Sequence, residues 1–188
     1  VLQDVYRNME DQRWVKAHLA EVAAELQGCT SFSELAQRFL SRVAPLLQMG
    51  QGVFYIHDEE KRRLRMLGHY AYRERKSLAQ SIALGEGLVG QCALEKAPIV
   101  LTRPPADYIH IGSSLGEAAP AMIMVVPLLS GERVLGVIEI AGFRPFGERE
   151  QSLLEGLMPV TAMSMEILER TVKTQRLLED TQRQAQRM

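Results

Sequence analysis

Only two cysteines, Cys29 and Cys92, occur in 188 residues. That rules out a disulfide framework and leaves too few thiolates for a cysteine-based zinc site. Two buried free thiols are the favoured reading, and a single Cys29–Cys92 bridge is the alternative left open. Charge of one sign is equally scarce: 22 basic residues against 23 acidic ones give a net charge of −1. With no basic field, nucleic acid is not an expected partner, and no like-charged tail is present. No apolar run reaches the roughly 18 residues of a membrane span and no secretory leader opens the sequence, so direct membrane contact is not expected of it. Paired carboxylates, a cluster of metal ligands at ligand spacing and a Ser/His/Asp order are also missing. Nothing here assembles an active site. The length suits one domain with appendages. Since the sequence opens and closes inside helical pattern, it is expected to be a piece of a longer protein.

Periodicity supplies what is there. Residues 1 to 27 read as a helix with Val5, Met9, Leu19, Ala23 and Leu26 on an alternating four-and-three seam, interrupted by Gln12 and Lys16. Gly28 ends that helix, and Ser31 with Glu34 forms a capping box for the next one. The second helix carries Phe32, Leu35, Phe39, Leu40, Val43, Leu46 and Leu47 on a wide core-facing stripe, with Gly50 and Gly52 expected to close it. The period then falls to two. Strands are predicted over Val53–His57, Leu64–Ala71, near Gln80–Leu84, and over Ile99–Leu101, Met122–Leu129 and Arg133–Gly142. A short helix over about Leu88–Lys96 stops before Pro98, and residues 102 to 120 form a long loop of the kind usually kept for function. From Gly147 to Met188 the pattern is one long helix, apolar at first and polar beyond Arg170, with Pro159 expected to bend it.

The stretch Gly85–Gly90, "GEGLVG", matches G-x-G-x-x-G. A dinucleotide site needs a parallel crossover with a full helix and an acidic residue at a following strand end. Only about ten residues separate Gly87 from Pro98, and Asp107 follows Pro104-Pro105 in a loop. The glycines are better explained by a sharp strand-to-helix turn.

"GEGLVGQCALEKAPIVL", then "MVVPLLSGERVLGVIEIAGF", then "FGEREQSLLEGLMPVTAMSMEI" resemble, in order, the GAF family of ligand-sensing and dimerisation domains over about Thr30 to Glu169. The loop "DYIHIGSSLGEAAP", with Trp14 and "LAEVAAELQG" before it and "RLLEDTQRQAQ" after it, looks like the GAF region of hybrid sensor histidine kinases. The resemblance implies an α+β fold with a central antiparallel sheet of about five to six strands. The long N- and C-terminal helices would lie on one face, and the short helix and long loop would cover a pocket on the other. It divides the chain into an N-terminal signalling helix (1–29), a GAF domain (30–169) and a C-terminal signalling helix (170–188). It further implies a non-catalytic, cytoplasmic sensor or relay module of a two-component histidine kinase, homodimeric through coiled-coil terminal helices, whose parent is anchored in the inner membrane. The ligand is an unidentified small molecule, and no cofactor is named. A ligand-free dimerisation scaffold is the alternative.

Within that frame the ligand-binding candidates are Tyr108 and His110 in the long loop, His69, Cys92 and Glu139. His69 and Tyr70 alternate along a strand, so only one can face the pocket. Cys92 lies on the short helix, but Ala93 follows it where bilin-attaching relatives typically have histidine. Methionine sulfoxide reductases of this family use cysteines, and a convincing set is lacking here. Glu139 interrupts an apolar strand between Ile138 and Ile140, and a carboxylate there must find a partner, for which Arg144 is a choice. A structural role for Glu139 is favoured over ligand binding. His18, followed by Leu19-Ala20-Glu21, lacks a phospho-acceptor pattern, and the nine methionines are mostly core filler.

Overall fold

The computed structural model describes residues 1–71, 81–113 and 116–188. Helix α1 (Leu2–Gln27) ends at Gly28, and α2 (Phe32–Leu47) starts at Ser31. Ser31 Oγ accepts the Glu34 amide at 3.1 Å. The Glu34 carboxylate accepts from the Thr30 amide and hydroxyl, each at 3.0 Å, which closes the box one residue earlier than the usual pattern. These hydrogen bonds, the Thr30 amide first, hold the Glu34 carboxyl below its ordinary value.

The predicted stop of α2 moves. Gln48 adopts the left-handed conformation (φ 52°) and ends the helix, while Gly50 and Gly52 belong to strand β1 (Met49–Asp58). Those glycines serve close packing: a Cβ at Gly52 would stand 3.2 Å from Leu40, and one at Gly50 would stand 2.7 Å from Ile111. β2 (Arg63–Tyr70) pairs with β1 through a bulge, which leaves Leu67 out of register. β3 (Ser81–Ala83) precedes α3 (Gly87–Glu95) and β4 (Ile99–Thr102). Gln80, where a third strand was predicted to start, lies outside the described residues. The long loop is not wholly irregular, because β5 (Ile111–Ser113) and β6 (Gly116–Ala118) pair within it. Three-residue strands with one buried side chain, Ile111, leave no period in sequence. Ser114 and Leu115 lie outside the described residues.

β7 (Met122–Ser130) and β8 (Arg133–Gly142) form the central hairpin of a fully antiparallel six-stranded sheet, ordered β3-β2-β1-β8-β7-β4. α4 (Glu148–Gln186) then runs 39 residues, helical through Pro159, which cannot donate to the Glu155 carbonyl. Alternation on the central strands feeds two cores. Phe54, Ile138, Ile140, Met124 and Val126 meet α1, α2 and α4 on one face. Val53, Val137, Ala141 and Val125 meet α3 on the other. Phe39, Leu40 and Phe54 are fully buried, and each such side chain contributes about 1.5–3 kcal/mol.

α1 and α4 lie side by side. The Arg149 guanidinium stacks over Trp14 at 4.4 Å, and Leu19 packs against Gly156. Contacts advance in the same direction along both helices, so the two are parallel. Leu2, Val5, Tyr6 and Met9 of α1 stay exposed at one end, and α4 beyond Leu168 is exposed at the other apart from the half-buried Glu169 and Val172.

Candidate functional site

The face covered by α3 is built from the glycine turn outward. Gly85 (φ 83°) and Gly87 (φ 62°) take conformations that other residues rarely adopt. A Cβ at Gly90 would overlap the Ala83 carbonyl oxygen. The turn spends its own amides: Gly85 N donates to Gly90 O at 2.9 Å, and Glu86 N to Ala83 O at 3.1 Å. The Glu86 carboxylate also accepts the Ala83 amide at 2.8 Å. Amides committed in this way do not form a phosphate cradle, and the preceding strand is antiparallel.

α3 presses Val89, Cys92 and Ala93 against the sheet. The Cys92 thiol is fully buried and donates to the Ala97 carbonyl at 3.3 Å. Burial pushes it up to about 12, with the nearby Glu95 charge adding to the effect. It therefore stays protonated at neutral pH. Cys29 is half-buried, and both thiols are free. Cys29 packs in the core on the helix side, whereas Cys92 belongs to the α3 side. The sheet lies between them, which closes the bridge left open by the sequence.

Strand pairing places the other candidates. His69 opposes Val53, Val53 opposes Glu139, and Glu139 opposes Val125. These four positions form one row across β2, β1, β8 and β7, and Val53 and Val125 put that row on the α3 face. Tyr70 packs on the opposite core, so His69 is the one facing the site. Glu139 sits between Val137 and Ala141 on its own strand face. It keeps a small share of contact with solvent, yet loss of water around the carboxyl pushes it up to about 7. Arg144 forms no ion pair with it, so the expected partner is not the actual one.

The long loop supplies Tyr108, 43% exposed, with its amide bonded to Pro105 O at 2.9 Å. Burial raises its phenol, and the charge of Glu139 raises it further, which puts the two groups within electrostatic reach. His110 is half-buried between Ile109 and Ile111, both packed in the α3-side core. The fold thus brings Glu139, His69, Cys92 and Tyr108 to one face, with His110 in the covering loop. Of these, Tyr108 feels the charge of Glu139. Among the described residues, no group of His, Cys, Asp and Glu could hold a metal ion.

A second set of polar residues has no sequence signal, because it joins positions far apart. Arg133 at the start of β8 pairs with Glu59 of the β1–β2 turn, and its Nη2 donates to both Glu169 oxygens at 2.9 and 3.1 Å. Ser130 bonds Glu166. These contacts fasten the tip of the β7–β8 hairpin to α4 where the helix leaves the domain. Separately, an apolar cleft of about 360 Å³ opens on the helix side between β4 and α4, lined by Val100, Met124 and Met158 among others.

The sequence profile of the GAF domain family matches residues 29–166. The chain belongs to the GAF domain family. GAF domains are in general regulatory or sensor domains. The fold is similar to that of the GAF domain of an Acinetobacter phosphoenolpyruvate-protein phosphotransferase (TM-score 0.69, 18% identity, 85% of this chain and 98% of that one). It is similar to a putative GAF sensor protein from Burkholderia vietnamiensis (TM-score 0.64, 20% identity, 85% and 98%). It is similar, too, to the free methionine-R-sulfoxide reductase of Neisseria meningitidis (TM-score 0.64, 18% identity, 84% and 91%). At these identities the likeness is one of fold, and it spans a regulatory domain and an enzyme alike. No curated protein matches the chain closely enough to count as a relative. No described helix is long and apolar enough to cross a membrane.

Proposed function

We propose that this GAF domain is a cytoplasmic sensor and relay module of a histidine kinase, non-catalytic in itself, working as a homodimer through its terminal helices. One observation carries the reading: α1 and α4 pack in parallel, and their free ends project from opposite ends of the domain. Motion arriving along α1 can leave along α4 in line, with the sheet and its α3-side site between them.

Beyond Leu168 the helix carries Leu177 and Leu178, 68% and 59% exposed, with Met163 and Ile167 exposed just before. A helix of this kind, with few intrachain contacts, is marginal alone in water, so a second copy of α4 is the natural support. The hydroxyls of Thr171, Thr174 and Thr181 turn back to carbonyls four residues earlier, which leaves the seam few polar groups to share. Gln12, Lys16, Gln175 and Gln182 weaken such a seam and keep alternative packings close in energy.

The test joins assembly to output. Leu177→Cys is expected to form disulfide-linked dimers under mild oxidation. Replacing Gln175 and Gln182 by Leu in the intact parent protein is expected to fix its phosphorylation output. A chain that stays monomeric at high micromolar concentration, or an output untouched by the stiffened seam, would refute the relay.

A further inference from the structure

β4 covers only part of β7. The ladder between them runs from Ile99 opposite Val125 to Thr102 opposite Met122. The next residue on the β4 side is Pro98, which has no amide hydrogen to donate, while β7 itself continues to Ser130. Past the end of the ladder α4 runs beside an uncovered sheet edge, and the cleft of about 360 Å³ opens there. That volume falls within the roughly 300–1,000 Å³ of small-molecule sites. Met124 and Val126 of the sheet and Leu154 of α4, all closely packed, make its floor. Val100, 44% exposed, and the half-buried Met158 make its open walls. The wall on the β4 side is held from behind: the Lys96 amide donates to Cys92 O at 2.9 Å, and the Cys92 thiol donates to Ala97 O at 3.3 Å.

The polar side chains of the cleft stand at its mouth. Lys96 lies on the β4 side, with Gln151 and Glu155, one turn apart, on the α4 side. All three are exposed, and neither charge has an ion pair among the described residues. Gln151 commits its amide nitrogen to the Phe146 carbonyl at 3.0 Å, which leaves its oxygen as an acceptor. The α4 rim therefore accepts and the β4 rim donates. A purely anionic ligand would meet Lys96 and oppose Glu155, and a purely cationic one would do the reverse. An added β-strand is disfavoured by the edge itself, which is four residues long and opens after a proline.

We propose that this cleft binds a small zwitterion, with an ammonium and a carboxylate together at one end of an apolar body. The body lies along Val100 and Met158, the carboxylate pairs with Lys96, and the ammonium pairs with Glu155 and the Gln151 oxygen. An apolar α-amino acid is the simplest such molecule. The seat lies across the sheet from α3 and needs no pairing of the terminal helices, so it stands or falls separately from the relay.

L-Phenylalanine is the probe. Its counterparts are phenylalaninol, which lacks the carboxylate, 3-phenylpropionate, which lacks the ammonium, and 3-phenylpropanol, which lacks both. Amide chemical shifts of the whole chain report where and how tightly each one binds. Phenylalanine is expected to bind about threefold or more tightly than either singly charged counterpart, and to shift amides near Val100 and from Leu154 to Met158. Lys96→Gln is expected to erase its advantage over phenylalaninol, and Glu155→Gln its advantage over 3-phenylpropionate. Val100→Trp fills the cleft from an exposed strand position and is expected to block all four probes while distant amides keep their shifts. Should that variant fail to fold, the two rim substitutions decide. Equal binding of phenylalanine and 3-phenylpropanol, an affinity indifferent to both rim substitutions, or shifts confined to other faces overturns the assignment. So does silence at millimolar probe, or movement of the same amides on concentrating the protein alone, which marks the cleft as a contact between two copies.

Discussion

Neutralising Glu139 should stabilise the free protein at high pH and change little at low pH. The carboxyl lies near 7 in the folded chain because burial disfavours its charge, against an ordinary value of 4.5. The native state therefore holds this proton more tightly than the unfolded chain does. The stability it provides is fully present below about pH 4.5, falls as pH rises, and is gone above about pH 7. With those two values the loss between about pH 5 and pH 8 comes to about 2–3 kcal/mol, most of the roughly 3 kcal/mol set by the shift. That is a large share of the roughly 5–15 kcal/mol by which a domain is stable. Glutamine keeps the shape and cannot ionise. Urea denaturation of both proteins at intervals across that range isolates the effect, because every other titrating group cancels in the difference. The Glu139→Gln difference should be near zero at pH 4, stay within about 1 kcal/mol at pH 5, and grow to about 3 kcal/mol in favour of the variant by pH 8, with unchanged m-values. A pH-independent difference, or one favouring wild type at pH 8, would refute the claim that the carboxyl is desolvated and unpaired.

Three other outcomes follow from single contacts. Cys92 should resist thiol reagents in the folded protein while Cys29 reacts at least about tenfold faster, since only Cys29 has appreciable exposure; rapid labelling of Cys92 in peptide maps would contradict its packing. Gly90→Ala should cost about 1–3 kcal/mol in chemical denaturation, because the new methyl meets the Ala83 carbonyl across the glycine turn; a neutral substitution would mean that the turn can relax. Arg133→Ala should cost only about 0.5–1 kcal/mol globally, its partners being partly exposed, yet raise amide exchange around residues 166–172 several-fold, and uniform exchange along α4 would refute the latch.

The parts of the fold that repeat were legible in the sequence. The apolar stripe from Phe32 to Leu47 and the alternation of "VLGVIEIAG" specify a helix and a strand by themselves. Failures came where a residue serves two masters. Gly50 and Gly52 look like a helix stop, but the stop is Gln48 in a left-handed conformation, and the glycines make room for α2 and Phe143. The parity of β8 was readable, but its absolute sense was not: one slip would have sent Glu139 into the helix-side core. Only pairing with Val53 and Val125 settles that it faces α3. The Arg133 cluster was out of reach altogether, since Glu59 and Glu169 lie 110 positions apart and meet only after the hairpin is built.

On the relay reading proposed above, the β7–β8 hairpin is where the candidate site and the output would meet. Glu139 and Arg133 are six residues apart on β8, roughly 20 Å along one strand. At one point the strand carries a carboxylate that no described residue pairs with. At its end it carries a guanidinium bridging the β1–β2 turn and α4. A strand held in a central hairpin between β1 and β4 moves with its neighbours rather than by itself, so a change at Glu139 would reach the tip through twist and register. The tip contacts are well suited to receive such a change, because exposed ion pairs worth a fraction of a kcal/mol each can be exchanged without unfolding anything. The side-by-side packing of α1 and α4, made by buried side chains such as Val22, Leu26, Leu154 and Leu157, is much harder to break. Movement at the exit is therefore expected in the exposed half of α4, pivoting about Glu166 and Glu169, while the packed half stays with the domain.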